Sequence, residues 1–154
     1  MTVIAGNLDG SGLRIAVARA LFNQQVTNGL LEGALLALDK AGVTDPTVVE
    51  VPGAFDLPLI VTRLAEAGHD AVVAIGAVVE GETDHYEHVA HRATEGLMQV
   101  MLETGVPVTL GVIAVRDPAH AFARSAPDEH NKGAEAAEAA VILANLMRQL
   151  LSDE

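Results

Sequence analysis

Apolar runs bounded by glycine and proline alternate with segments of helical periodicity along the whole chain. The longest run, AVVAIGAVV at 71–79, is continuously apolar, as is typical of a strand buried on both faces of a parallel sheet. Three further strands are predicted over 13–18, 47–51 and 106–115. Apolar positions three or four apart and Gly or Pro boundaries predict helices over 27–41, 57–67, 84–103, 118–124 and 132–151.

This regular alternation of strand and helix indicates the fold class. Crossover connections between parallel strands are right-handed, so the helices cover both faces of one sheet. We therefore expect an α/β protein with the architecture of a three-layer α/β/α sandwich. The β-prone stretch 2–8, ended by the turn Asp9-Gly10-Ser11-Gly12, predicts an N-terminal arm over 1–12. A single domain is expected over 13–154.

Composition and charge exclude several classes of function. Nine basic residues and a net charge of −12 argue against a nucleic-acid partner, which requires a positive surface. The chain has no cysteine, so disulfides and thiolate metal sites are excluded and a reducing compartment is compatible. No secretory signal and no apolar run near ~20 residues is visible, so no membrane partner and a cytoplasmic location are expected.

Three aromatic residues, Phe22, Phe55 and Tyr86, each fall just after a predicted strand. Any one of them could simply pack in the core, but three at equivalent places in the topology favour a pocket at the carboxyl ends of the strands. Phe22-Asn23 offers a flat apolar ring and an amide, which suit a heterocycle. In VPGAFDLP at 51–58, Asp56 can accept from sugar hydroxyls or serve as a helix N-cap.

The histidines of HYEHVAH, at 85–91, open the helix that follows the longest strand. His85 lies in the first turn, where the helix dipole disfavours the cation and leaves the imidazole able to accept a proton. His85 and His91 are nearly two turns apart, too distant for one metal ion, so no metal is expected and His88 and His91 are assigned to a solvated face. Asp84 and Glu87 can form a capping box.

The turn Gly81-Glu82-Thr83 resembles an anion-binding nest before a helix. Such turns are common, so the prediction depends on a converging cation. Arg124 is the candidate, because a guanidinium matches phosphate geometry, although it could equally be an ordinary surface arginine. Lys132 opens the last helix, where the dipole disfavours a cation, and this departure points to function.

Together these motifs resemble the 6,7-dimethyl-8-ribityllumazine synthase family of riboflavin biosynthesis. The resemblance runs from residue 12 to residue 150. It is carried by Phe22-Asn23, VPGAFDLP, GAVVEGETDHYEHV at 76–89, LETGVPVTLGV at 102–112 and Asn131-Lys132-Gly133. It implies a four-stranded flavodoxin-like sheet and condensation of 5-amino-6-(D-ribitylamino)uracil with 3,4-dihydroxy-2-butanone 4-phosphate, without cofactor or metal. It also implies active sites shared between neighbouring subunits of a pentamer.

Residue roles follow from the resemblance alone. His85 would move protons and Phe22 would stack on the pyrimidine beside Asn23. Lys132, from the neighbouring subunit, would approach the ring carbonyl, and Leu110 stands where an aromatic wall is usual. The ribityl chain would be held by Ala54, Phe55 and Asp56, the ring by the backbone at Val78 and Val79, and the phosphate by Glu82, Thr83 and Arg124.

Other features keep alternatives open. The family usually has arginine at Glu80 and proline at Asp84. A catalytically silent assembly scaffold, or a ribityl- or flavin-binding protein of the same fold, therefore remains an alternative to the active enzyme. An arm able to join a neighbouring sheet favours a 60-subunit icosahedral shell over a pentamer, whereas the acidic loop Pro127-Asp128-Glu129 disfavours it.

Overall fold

The computed structural model describes residues 1–152. Four strands are present: β1 (Ile15–Ala20), β2 (Thr47–Val51), β3 (Ala71–Val79) and β4 (Val108–Val115). The helices are α1 (Gln24–Lys40), α2 (Leu57–Glu66), α3 (His85–Thr104), α4 (Pro118–Ser125) and α5 (Lys132–Ser152). A single 3₁₀ turn, Ala54–Asp56, precedes α2. Every predicted core strand and helix is present, with boundaries shifted by up to three residues.

The four strands form one parallel sheet in the order β2-β1-β3-β4. One buried cluster lies between the sheet and the helices α1, α4 and α5, and a second lies between the sheet and α2 and α3. The helices therefore cover both faces of the sheet. The predicted three-layer α/β/α sandwich with a flavodoxin-like sheet is confirmed.

The continuous apolar run of β3 is explained by its central place in the sheet. Val73 and Ile75 belong to the cluster under α1 and α5, and Val72 and Ala74 belong to the cluster under α2 and α3. Because successive side chains of a strand point to opposite faces, both faces of β3 must be apolar. The exposed edge strand β2, by contrast, buries only Val51.

The loop between α4 and α5 is held in place by Asn131, which is 3 % exposed. Its Nδ2 donates to the carbonyls of Gly29, Ser125 and Ala126 at 3.1, 3.2 and 3.0 Å, and its Oδ1 accepts from the Ala134 N–H at 3.0 Å. Asn131 therefore caps α5 and ties its start to α1. These bonds fix the first residue of α5, Lys132.

The N-terminal residues do not form the strand for which the stretch 2–8 has propensity. The carbonyl of Ala5 accepts a bond of 2.8 Å from Gln149 Nε2, and the carbonyls of Asn7 and Asp9 accept from Asn145 Nδ2 at 3.0 and 2.8 Å. Side chains of α5 thus take the backbone acceptors that a strand partner would use. Among the helices described for residues 1–152, none has the length and apolar character needed to cross a membrane.

Candidate active site

A cleft of about 440 Å³ opens at the carboxyl ends of the strands, where the turns after β1, β2 and β3 meet. Ligands of open α/β sheets bind at this edge. The cleft is lined by Phe22, Asn23, the turn 52–56, Ala77, Val78, Val79, Gly81, Thr83, His85, Tyr86 and Val89. Phe22, Phe55 and Tyr86, which the sequence places after three different strands, all line this cleft.

The turn after β1 presents Phe22 at the edge of the cleft. The N–H groups of Leu21 and Phe22 donate to the carbonyls of Val51 and Pro52 at 2.8 and 3.0 Å, so this turn is tied to the end of β2. The ring of Phe22 is 72 % exposed. An aromatic ring this exposed, on a backbone held so firmly, is available to stack on a planar ligand.

The second wall of the cleft is the 3₁₀ turn Ala54–Asp56. Ala54 is buried beneath the turn, whereas Phe55 is 63 % exposed beside the cleft. The Asp56 carboxylate does not cap α2; its Oδ2 accepts from the Gly53 N–H at 3.0 Å. This bond orients the carboxylate and leaves acceptor capacity for a hydroxyl-bearing ligand.

The third wall is the turn between β3 and α3. His85 is exposed in the first turn of α3, and its backbone N–H donates to Thr83 Oγ1 at 3.3 Å. The capping box expected from Asp84 and Glu87 is not formed, because the Asp84 side chain makes no cap bond and lies 3.6 Å from His88 Nε2 instead. Asp84 keeps the N-cap position of α3, but the side-chain acceptor at this helix start is Thr83.

Arg124 and Lys132 lie away from this cleft. They line a second cleft of about 340 Å³ with Glu129, His130 and Glu135. Arg124 Nη1 donates to the His120 carbonyl at 3.1 Å and Lys132 Nζ to Glu135 Oε2 at 2.9 Å. The Arg124 side chain therefore lines a cleft other than the one bordered by the Gly81–Thr83 turn of its own protomer.

Two further predicted site residues also lie outside the cleft. Glu82 is exposed on the β3–α3 turn, and its side chain does not line the cavity. Leu110 is 55 % exposed on the edge strand β4 and pairs with Ala74. No group of three His, Cys, Asp or Glu residues within 1–152 is arranged to hold a metal ion.

Arg116, which neighbours the cleft-lining residue Tyr86, was not among the predicted site residues. Its Nε lies 3.9 Å from Glu80 Oε2. The neighbouring Tyr86 side chain and the Glu80 carboxylate raise the pKa of the Arg116 guanidinium. The available signal was the arginine placed directly after a predicted strand, in VRDP at 115–118.

Comparisons with known proteins agree with this geometry. The family model for 6,7-dimethyl-8-ribityllumazine synthase matches residues 12–148. A protein of that name from Kineococcus radiotolerans is 50 % identical over 136 residues, covering 87 % of this chain and 84 % of the relative. The one from Thermococcus kodakarensis is 46 % identical over 153 residues, covering 99 % and 97 %. One from Clavibacter michiganensis is 43 % identical over 145 residues, covering 93 % and 90 %. The chain therefore belongs to the 6,7-dimethyl-8-ribityllumazine synthase family.

Proposed function

We propose that this chain condenses 5-amino-6-(D-ribitylamino)uracil with 3,4-dihydroxy-2-butanone 4-phosphate to form 6,7-dimethyl-8-ribityllumazine. The observation that carries the proposal is the meeting of an exposed aromatic ring, a carboxylate and a histidine in one cleft. Phe22, Asp56 and His85 come from three different turns and share this cavity. The reaction needs no cofactor or metal, because imine formation and phosphate loss require only proton transfer and positioning.

The pyrimidine is assigned to the side of the cleft between Phe22 and the end of β3. The pairing of β3 with β1 ends at Ile75, whereas β3 continues to Val79. The strand edge beyond Ile75 therefore borders the cleft, and Val78 and Val79 are among the residues that line it. Since the N–H and C=O groups of successive residues point to opposite edges of a strand, those of Val79 lie on the same edge as the Ala77 carbonyl, and Val79 is the better placed to bond the ring.

The ribityl chain is assigned to the 3₁₀ turn. Ala54 provides a small floor, Phe55 an apolar wall, and Asp56 an oriented carboxylate that accepts from the ribityl hydroxyls. Because the Gly53 N–H already holds one carboxylate oxygen, the side chain loses little further entropy when it binds the sugar chain.

The phosphate and the proton transfers are assigned to the β3–α3 turn. Thr83 offers a hydroxyl, and Glu82 contributes through its backbone N–H, since its carboxylate would repel an anion. His85 moves protons during amine addition to the ketone, phosphate departure and ring closure. One well-placed general acid–base group is worth ~10²–10⁴-fold in rate.

The remaining cations are proposed to come from a neighbouring subunit. Arg124 and Lys132 occupy a cleft of their own, so a complete site forms when the second cleft of one subunit meets the first cleft of the next. Leu110 would then border the cleft across the same contact. Exposed apolar side chains at Leu59, Met98 and Leu102 are available for burial between subunits.

This arrangement leads us to propose a pentamer, with a 60-subunit shell as its larger assembly. Val3 and Ile4 of the arm are exposed and able to pair with a neighbouring sheet edge. We propose the cytoplasm as the place of action, with which a chain without cysteine is compatible.

The decisive experiment mixes the two substrates with the protein and records the absorbance of the lumazine product. Formation of product by the wild type, and its loss in His85→Ala, would support the proposal. A protein that binds the pyrimidine but forms no product would instead be a ribityl- or flavin-binding protein, and one that binds neither substrate would be an assembly scaffold.

A further inference from the structure

The mouth of the first cleft carries more negative charge than a phosphate site should tolerate. Four carboxylates stand on the β3–α3 turn and the first turn of α3, at Glu80, Glu82, Asp84 and Glu87. All four residues are exposed. A dianionic substrate approaching Thr83 and His85 would meet this charge before it reached the backbone N–H groups, so a cation must compensate it.

Arg116 lies beside this turn in the same protomer. It directly follows β4, whose last residue, Val115, accepts from the Glu80 N–H at 3.0 Å. The ends of β3 and β4 are therefore joined beneath the side chains of Glu80 and Arg116, whose Oε2 and Nε are 3.9 Å apart. Arg116 also interacts with Tyr86, which lines the cleft directly next to His85.

The other basic side chains in the described residues are engaged elsewhere. Arg19, Arg63, Arg92, Lys132 and Arg148 pair with Glu50, Glu66, Glu95, Glu135 and Asp70. Arg14 and Arg124 donate to backbone carbonyls, and Lys40 lines the groove between α1 and α5. Among the arginines and lysines within 1–152, Arg116 is thus the one that forms an ion pair with the β3–α3 turn.

We propose that Arg116 is a specificity residue for the phosphorylated substrate, whose guanidinium leaves Glu80 to donate to the phosphate from the protomer that supplies His85. The inference rests on the proposed function. The side chain of Arg116 is 82 % exposed, and an exposed pair at 3.9 Å is weak. A phosphate dianion carries more charge and accepts from both arms of the guanidinium, so it displaces the Glu80 carboxylate.

A purely structural role for the Arg116–Glu80 pair makes a different prediction. If the pair only held the turn in place, Glu80→Gln and Arg116→Ala would have the same effect, because each breaks the pair. If Arg116 binds phosphate, the two substitutions act in opposite directions. Glu80→Gln frees the guanidinium and removes a negative charge, whereas Arg116→Ala removes the donor.

Steady-state kinetics with both substrates test this difference. We expect Arg116→Ala to raise KM for the butanone phosphate about tenfold and to leave KM for the pyrimidine nearly unchanged. Arg116→Lys should recover part of the loss, and Glu80→Gln should lower the same KM. Arg92→Ala is the matched control, because it removes an exposed cation from α3 and changes the net charge equally. Equal effects of Arg116→Ala and Arg92→Ala, or parallel losses in Arg116→Ala and Glu80→Gln, would overturn the inference.

Binding of inorganic phosphate gives a readout that does not need turnover. Tyr86 is the only tyrosine in a chain without tryptophan, so its fluorescence reports on this mouth alone. We expect a saturable response in the wild type that weakens in Arg116→Ala, strengthens in Glu80→Gln and is unchanged in Arg92→Ala. This pattern without product formation would defeat the proposed function and keep the anion site. Product formation by the wild type, with the same phosphate response in the wild type and all three variants, would support the proposed function and overturn the role of Arg116.

Discussion

Asn23 donates a hydrogen bond of 2.8 Å from its side-chain Nδ2 to the main-chain carbonyl of Ala77, across 54 positions of sequence. The bond joins the start of α1 to β3 at the point where β3 has lost its β1 partner. Asn23 itself has a left-handed backbone, with φ 60° and ψ 51°. Asparagine tolerates this conformation better than most residues and supplies the donor that the carbonyl needs, so both properties place Phe22 at the cleft.

Substitutions at Asn23 should separate these two properties. Asn23→Gly keeps the left-handed backbone but loses the donor, and we expect it to cost about 1 kcal/mol of unfolding free energy. Asn23→Ala loses both and should cost about 2 kcal/mol. Thermal unfolding checks the order, and KM for the pyrimidine should rise in both variants because Phe22 is no longer fixed. Equal stability of the Ala and Gly variants would show that the backbone conformation carries no strain.

Histidine substitutions should distinguish catalysis from binding. His85→Ala should lower kcat by ~10²-fold or more and leave the affinity for the pyrimidine within severalfold, because its proposed role is proton transfer. His88→Ala is the matched control: His88 lies one helical turn along, is exposed, and faces Asp84 rather than the cleft. The pH profile of kcat for each variant completes the test. A damaging His88→Ala beside a harmless His85→Ala would reverse the assignment.

The core of the fold could be predicted because the pattern of apolar residues in its strands and helices shows directly which faces are buried. The run at 71–79 is apolar on both faces, and the ends of α1, α2 and α3 are followed within two residues by Gly42, Gly68 and Gly105, which all have positive φ. Such signals depend on residues that are close together in the sequence, so long-range contacts in the folded protein do not override them. The arm was harder to predict, because its β-propensity is overridden by Asn145 and Gln149, which lie more than 130 residues away in sequence.

The candidate site could be predicted where its residues lie in the turn, or in the first helical turn, that follows a strand. Phe22, Phe55 and His85 all do so, and parallel strands bring such positions to one edge. Arg124 does not: it lies in the last turn of α4, and the direction of that helix decides which cleft it reaches. Arg116 was missed for a different reason, since an arginine after a strand has no meaning until Glu80 and Tyr86 are seen beside it.

The separation of Arg124 from His85 predicts complementation between inactive variants. Arg124→Ala should raise KM for the butanone phosphate more than KM for the pyrimidine, and Arg124→Lys should restore it only in part. If each site takes His85 from one subunit and Arg124 from the next, random mixed oligomers of His85→Ala and Arg124→Ala will regain about a quarter of the sites.

The complementation assay needs co-expression of the two variants and one kinetic measurement. Oligomers of either variant alone provide the background rate. A mixture of His85→Ala with His85→Ala/Arg124→Ala is the matched control, because no arrangement of those subunits restores a histidine. Failure of the first mixture to exceed the background would place both residues in the site of one subunit and defeat the shared-site proposal.

Assembly is expected to depend on salt, because the loop after α4 is acidic. Asp128 and Glu129 line the groove between α1 and α5 together with Glu32, Glu135 and Glu138, and Lys40 is the one basic side chain in that lining. Copies of this loop brought together around a symmetry axis would repel one another, and salt screens such repulsion within a Debye length of ~10 Å at 0.1 M.

We therefore expect light scattering to show a mass of at least a pentamer at low ionic strength and a larger share of shells at high ionic strength. Asp128→Asn/Glu129→Gln should shift the low-salt distribution toward the shell. A particle of pentamer mass under every condition would defeat the shell, and a stable monomer would defeat the shared site, because Lys132 could then never reach the cleft of another subunit.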